Sequence, residues 1–158
     1  RDFCLSRGLG DVYKRQIAIL RLFGARIGPD CRVYASVKVW LPRHLEIGSG
    51  SIVGPGVDLY NQGLIRIGSS CVISQRAVLC ASTHRVNDPL FALETRPITL
   101  ADECWVAAEA FAGPGVTMAR GSVLGARAAL FTDSDEMGIY RGNPAERIGT
   151  RKWDGGVR

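Results

Sequence analysis

Leu100 to Leu130 reads LADECW VAAEAF AGPGVT MARGSV LGARAA L when cut into sixes. The first place of each six holds Leu100, Val106, Ala112, Met118, Leu124 and Leu130. The second place is always Ala or Gly, and the fifth holds Cys104, Ala110, Val116, Ser122 and Ala128. A period of six matches neither the 3.6 of a helix nor the 2 of a flat strand. It matches a strand that bends at every sixth residue, with an aliphatic side chain pointing inward and a small residue where the backbone packs tightly. Such repeats predict a parallel β-helix whose coils stack on one another.

The rule extends upstream. Ile27, Val33 and Val39 form one triplet of sixes, Ile47, Val53 and Leu59 a second, and Ile67, Ile73 and Leu79 a third. The triplets start 20 residues apart and open alike, at Ile27-Gly28, Ile47-Gly48 and Ile67-Gly68. Fifth places are again small: Cys31, Val37, Ser51, Val57, Cys71, Ala77 and Thr83. Three sixes per turn predict a triangular prism with coils about 4.8 Å apart. A sandwich of ordinary strands would need period-2 alternation and hairpin turns.

The sixes resemble the hexapeptide-repeat acyltransferases, and most closely the colanic-acid-type polysaccharide O-acetyltransferases, relatives of the galactoside and maltose acetyltransferases. The residues that carry the resemblance are Leu20–Gly28 (LRLFGARIG), Asp58–Tyr60, Val72–Gln75, Cys104-Trp105, Gly113–Thr117, Gly125–Arg127 and Arg141–Ala145 (RGNPA), within residues 17–148. The resemblance implies an all-β solenoid, a left-handed parallel β-helix with one excursion loop and short terminal helical segments. It also implies transfer of acetyl from acetyl-CoA to a sugar hydroxyl in exopolysaccharide biosynthesis, and a homotrimer with each site between two prisms.

One domain is expected from 158 residues. Residues 1–16 read as foreign: DVYKRQ at 11–16 resembles one frame of a transposase mosaic-end adapter, which genomic DNA across this stretch would check. Residues 17–26 are expected to form a short helical cap, 27–132 the β-helix and 133–158 a C-terminal tail. The sixes break between Leu79 and Leu100, 21 residues apart, so residues 85–97 are expected to loop out of the prism. Such an excursion from a rigid scaffold is where sites tend to lie.

The net charge is +5, or +3 without residues 1–16, and the basic residues are scattered. Nucleic-acid binding would want a basic stripe with interleaved aromatics. The five cysteines show no CxxC or Cys/His metal spacing and read as small core residues of a reducing compartment. No apolar run is long enough to cross a bilayer. The expected location is cytoplasmic, with Ile17–Phe23 either capping the solenoid or touching the inner membrane face.

The chain has two histidines. An O-acetyltransferase must take a proton from the attacking hydroxyl, and imidazole titrates close to working pH. His84, at the last place before the loop, matches the family's catalytic base. Relatives often continue Ser-His-Asp where this chain has Thr83-His84-Arg85, which leaves the group orienting the ring open. His44 lies 40 residues earlier, on the same corner about 10 Å along the stack, and reads as an exposed corner residue. Two histidines argue against a three-histidine zinc site.

Asp58 stands where relatives commonly place an asparagine that contacts the acceptor. It reads as an acceptor-binding carboxylate, a charge supporting His84, or a solvated corner residue. Trp40, Tyr60 and Cys80 fall in one column, and the aromatics suit either a sugar ring or a subunit interface. By resemblance, Trp105, Ala107, Ala108, Gly125, Ala126 and Arg127 line the acetyl-CoA arm. A lysine common in relatives is Thr132 here, followed by Asp133, so Arg127, Arg141 and Arg147 are the candidate phosphate contacts. Tyr60 and Trp105 join Asp58 as expected acceptor contacts, and the acceptor is a sugar or lipid-linked sugar.

Overall fold

The computed structural model describes residues 3–153, with side chains from Tyr13 onward. The sixes become short strands on three parallel sheets, one per side of a prism. The first sheet stacks Ile27, Ile47, Ile67, Leu100 and Met118 in register. The second stacks Val33, Val53, Ile73, Val106 and Leu124. The third stacks Val39, Leu59, Leu79, Ala112 and Leu130. These are the expected first-place residues, and all but Val39 are buried.

The small fifth places have a physical cause. Cys31, Ser51, Cys71, Cys104 and Ser122 lie buried at the corner between the first and second sheets. There the Cys31, Cys71 and Cys104 thiols donate to the carbonyls of Gly48, Ala101 and Ala119 on the next coil, at 3.1, 3.1 and 3.2 Å. Ser51 does the same to Gly68 at 2.7 Å. Cys71 and Cys104 also touch each other; that contact pushes the Cys71 thiol up and pulls the Cys104 thiol down, to about 7. The fourth place supplies the left-handed residue of each turn: Asp30, Ser70, Glu103, Arg76, Glu109 and Arg127 all have φ between 55° and 63°.

Helix α1 spans Phe3–Leu22. It runs back from the expected cap through the stretch read as foreign. Ile17 and Leu20 are buried against the first coil, and the Tyr13 and Tyr34 rings meet at 4.9 Å. The open end of the solenoid is thereby covered.

The solenoid also runs past 132. Ser134 pairs in parallel with Met118, and strand Gly138–Arg141 pairs with Val123-Leu124, making a sixth coil. The sixes hid it because Ser134 takes an inward place normally aliphatic, its hydroxyl accepting from the Ala119 amide at 3.0 Å. Spacing shortens too, from 18 residues to 16 between Leu124 and Tyr140. Strand Glu146–Thr150 folds back antiparallel on Gly138–Arg141 and covers its edge. Residues 154–158 of the expected tail lie outside the described residues.

Candidate active site

The third sheet ends at the corner that leads into the first, and the excursion leaves there. Strands Ser82–His84 and Leu93–Thr95 pair antiparallel, so the expected loop is a hairpin. His84 is exposed at its start, paired across from Leu93. Its Nδ1 lies against the carbonyl oxygen of Phe91. A carbonyl can only accept, so Nδ1 carries a proton, and in the neutral ring Nε2 is the nitrogen with the free lone pair. The orienting group left open by Thr83-His84-Arg85 is thus a backbone carbonyl, which any residue could supply and no motif would mark.

His44 is half-buried rather than exposed, its Nδ1 at 2.7 Å from the Gln62 carbonyl on the next coil. Beside it Asn61, fully buried, accepts from the amides of Trp40 and Leu41 at 2.9 and 3.1 Å and donates to the Leu41 carbonyl at 2.7 Å. Asn61 therefore ties the first coil to the second at this corner, a role the sixes did not reveal.

Asp58 and Tyr60 point out from the third sheet, on strand Asp58–Tyr60. The expected aromatic column forms: Trp40 and Tyr60 meet edge to face at 4.6 Å, and Tyr60 is in register with Cys80. Gln62 Nε2 donates to the Tyr60 hydroxyl at 3.1 Å. Asp58 Oδ1 is buried without a hydrogen-bond partner among the described residues. A carboxylate oxygen shielded from water and unpaired is costly, and a bound donor would relieve it.

Trp105 does not join Asp58 and Tyr60. It lies on the second sheet, in register with Val72 and Val123, and its Nε1 donates to Ser74 Oγ at 3.0 Å. It belongs with the corner between the second and third sheets, where Ala107, Ala108, Gly125, Ala126 and Arg127 stack. Three of their amides are committed: Ala107 to Leu124, Gly125 to Tyr140 and Arg127 to Ala108, at 2.8, 2.8 and 2.9 Å. The amides of Ala108 and Ala126 have no protein partner among the described residues.

Arg127 is not free. Its Nε donates to Glu109 Oε2 at 2.7 Å, and Arg76 binds the other oxygen of the same carboxylate. Arg127 and then Arg76 hold the Glu109 carboxyl below its ordinary range. Neither arginine partner of Glu109 was anticipated. Arg147 lies away on strand Glu146–Thr150, at 3.5 Å from Asp135 and 2.9 Å from Thr150 Oγ1. Asp133, the residue after Thr132, accepts the Thr117 amide at 2.7 Å.

One prism therefore does not unite the expected set. His84 and Tyr60 border the corner between the third and first sheets, and Asp58 opens its third-sheet strand from the corner before it. Trp105, Ala108, Ala126 and Arg127 border the next corner, one sheet-width away, on the order of 15 Å for about five residues of strand. Among the described residues no group of His, Cys, Asp and Glu is arranged to hold a metal.

A parallel β-helix of sixes is the architecture of the hexapeptide-repeat acyltransferases. The chain belongs to the hexapeptide-repeat acetyltransferase family and is an acetyl-CoA-dependent acyltransferase. It is 39% identical over 140 residues to the protein assigned as colanic acid biosynthesis acetyltransferase WcaF of Escherichia coli (strain K12), covering 89% of this chain and 77% of that one. No protein-family model matches it. A hexapeptide-repeat acetyltransferase from Vibrio cholerae superposes with a TM-score of 0.84 at 19% identity, over 89% of this chain and 81% of that one. A maltose O-acetyltransferase from Clostridium difficile 630 superposes with a TM-score of 0.81 at 18% identity, over 90% and 78%. The coiling is left-handed, the hand of this fold.

Proposed function

We propose that the protein transfers acetyl from acetyl-CoA to a hydroxyl of a sugar in polysaccharide biosynthesis, with His84 as general base. The observation that carries this reading is the Nδ1 contact of His84 with the Phe91 carbonyl. It selects the neutral tautomer whose Nε2 lone pair is free, on an exposed ring at the mouth of the hairpin. Nε2 takes the hydroxyl proton as the oxygen attacks the acetyl carbonyl. The new C–O bond forms, the C–S bond breaks, and the CoA thiolate leaves and takes up the proton. A backbone N–H stabilises the intermediate oxyanion. No acyl-enzyme is needed.

The pantetheine arm runs along the corner of Ala108 and Ala126, whose amides are available, with Trp105 beside it and Arg127 toward the phosphates. Arg147 is a second phosphate contact, poised on the closing strand. Because this corner stands a sheet-width from His84, the site is completed by a second copy, as in a homotrimer. Asp58 and Tyr60 receive the acceptor, and the orphan oxygen of Asp58 takes its donor from it. The relative assigned to colanic acid biosynthesis supports a sugar of an exopolysaccharide precursor, free or lipid-linked. A free sugar or an antibiotic hydroxyl is the competing acceptor.

The test is release of CoA thiol from acetyl-CoA over a panel of sugar, lipid-linked sugar and antibiotic acceptors, for the wild type and His84→Ala. Acceptor-dependent release by the wild type alone is expected. Equal release by His84→Ala would remove the base. No release, with no acetyl-CoA binding by calorimetry, would make the chain an inactive binding solenoid.

A further inference from the structure

The corner that carries His84 is built from four levels along the stack. Helix α1 ends there at Leu22, and Gly24 sits against Arg43. The turn Pro42–His44 follows one coil on, then Gly63, then the hairpin, with Gly63 facing Ala81 and Thr95 at the hairpin base. The helix end and the hairpin are therefore three coils apart on one edge, roughly 14 Å at about 4.8 Å per coil.

Both projections are apolar at their tips. Leu90 is 88% exposed, Leu22 82% and Val86 77%, the three most exposed large hydrophobic side chains described; Phe23, Phe91 and Leu93 are exposed beside them. Their surroundings are basic. Arg43 and Arg85 are exposed and form no ion pair among the described residues. Of the nearby carboxylates, Glu94 is paired with Arg96 and Glu46 with Arg26 and Arg66, while Asp88 accepts the Leu90 amide and has no cationic partner among the described residues. A groove of about 700 Å³ opens on the adjoining first sheet, lined by Arg21, Arg26 and Arg66 with Glu46 as its one carboxylate.

We propose that this edge docks on the interface of an anionic bilayer, so that the acceptor reaching His84 is presented from the membrane. Leu22, Phe23, Val86 and Leu90 enter the acyl boundary while Arg43, Arg85 and the arginine groove meet lipid phosphates. Protruding apolar tips beside two arginines that form no ion pair among the described residues, Arg43 and Arg85, suit a fluid charged interface. A second copy is better matched by the aromatic outer face of the third sheet, where Trp40 meets Tyr60 edge to face and Phe111 lies tilted against Phe131. The inference rests on the acetyl-transfer reading for its purpose, and on the edge alone for its geometry.

The test floats the full chain with phosphatidylcholine vesicles containing about 30% phosphatidylglycerol, against pure phosphatidylcholine, at about 50 and 500 mM NaCl. Flotation with the anionic vesicles at low salt only is expected. Leu22→Ser and Leu90→Ser should each lower the partition coefficient about tenfold, and Arg43→Ser with Arg85→Ser about fivefold per arginine. All should keep transfer to a soluble acceptor. Absence of wild-type flotation at low salt, or serine variants that float equally well, overturns the proposal. So does a smaller assembly in sedimentation of the serine variants, which would give these side chains to a second copy. Lost flotation with intact acetyl transfer rejects docking alone; flotation without any acetyl-CoA turnover rejects the transferase reading alone.

Discussion

His84 and Phe91 form one unit: the ring of the first donates from Nδ1 to the backbone carbonyl of the second, across the mouth of the hairpin. Phe91 holds that carbonyl in place with a left-handed backbone, φ 46°. The turn is set by Asp88, whose carbonyl accepts the Phe91 amide at 2.8 Å and whose Oδ1 accepts the Leu90 amide at 2.9 Å. Asp88 is thus a positioning residue. Removing the proposed base, in His84→Ala, should cost kcat about 10² to 10⁴-fold. Asp88→Ala should cost about tenfold, with KM for acetyl-CoA unchanged and the pH–rate profile retained in shape, as loss of ring orientation alone predicts. Steady-state kinetics over pH 5–9 checks both, and a raised KM with unchanged kcat would assign Asp88 elsewhere.

The Arg127–Glu109–Arg76 cluster makes two linked predictions. If Arg127 meets a phosphate of acetyl-CoA, Arg127→Ala should raise KM for acetyl-CoA about tenfold, a typical charge-assisted contact, and leave kcat nearly intact. The same substitution leaves Glu109 to Arg76 alone. The folded Glu109 pKa lies below its ordinary value of 4.5, chiefly through its hydrogen bond to Arg127. Its contribution to stability is therefore complete above that value and lost as pH falls through the lowered folded one. Arg127→Ala should move the Glu109 titration upward and shift the acid-unfolding midpoint to higher pH. Carboxyl NMR of Glu109 reads the first, and circular dichroism against pH the second.

Much of this arrangement was legible because each coil repeats one constraint. Ile47 must point inward and Ser51 must be small whatever the neighbouring coil holds, so the period shows through. What escaped detection was what breaks or precedes the repeat. Ser134 and Tyr140 continue the stack with polar groups satisfied internally, Tyr140 through its hydroxyl on the Asp135 amide at 2.8 Å. Spacing in sequence placed His84 on its corner but could not reveal a backbone partner such as the Phe91 carbonyl. Trp105, expected along the acetyl-CoA arm and also beside Asp58, lies in one prism on the sheet before Asp58.

Asn61 should be the costliest polar side chain to lose. It is fully buried, and its three hydrogen bonds all reach the first coil at Trp40 and Leu41. In Asn61→Ala two amides and a carbonyl lose partners in a place water does not reach. The expected cost is about 3 kcal/mol. It should fall first on the terminal coil, because neighbouring repeats stabilise one another only through shared interfaces. Hydrogen exchange should therefore show residues 26–47 losing protection before residues 98–124. Uniform loss across all coils would mean that the stack unfolds as one unit.

Gly48 and Gly50 share a corner but should behave differently on substitution. At Gly48 an added Cβ would lie 2.5 Å from both the Gly68 carbonyl carbon and the Ser69 nitrogen, backbone atoms of the next coil. Neither can move without prising two coils apart. At Gly50 the Cβ would meet only Ser70 Oγ at 3.8 Å, and the obstacle is the backbone itself, φ 70°. The stack already accepts side chains in that conformation at Asp30, Ser70 and Glu103. Gly50→Ala should then cost about 1 kcal/mol, and Gly48→Ala about 3 kcal/mol or more, as overpacking against immobile atoms does. Chemical unfolding of the two variants gives the order directly. A reversed order would mean that coil spacing is softer than the ladder of carbonyl contacts through Gly48 and Gly68 indicates, and that turn conformation governs which residues this corner accepts.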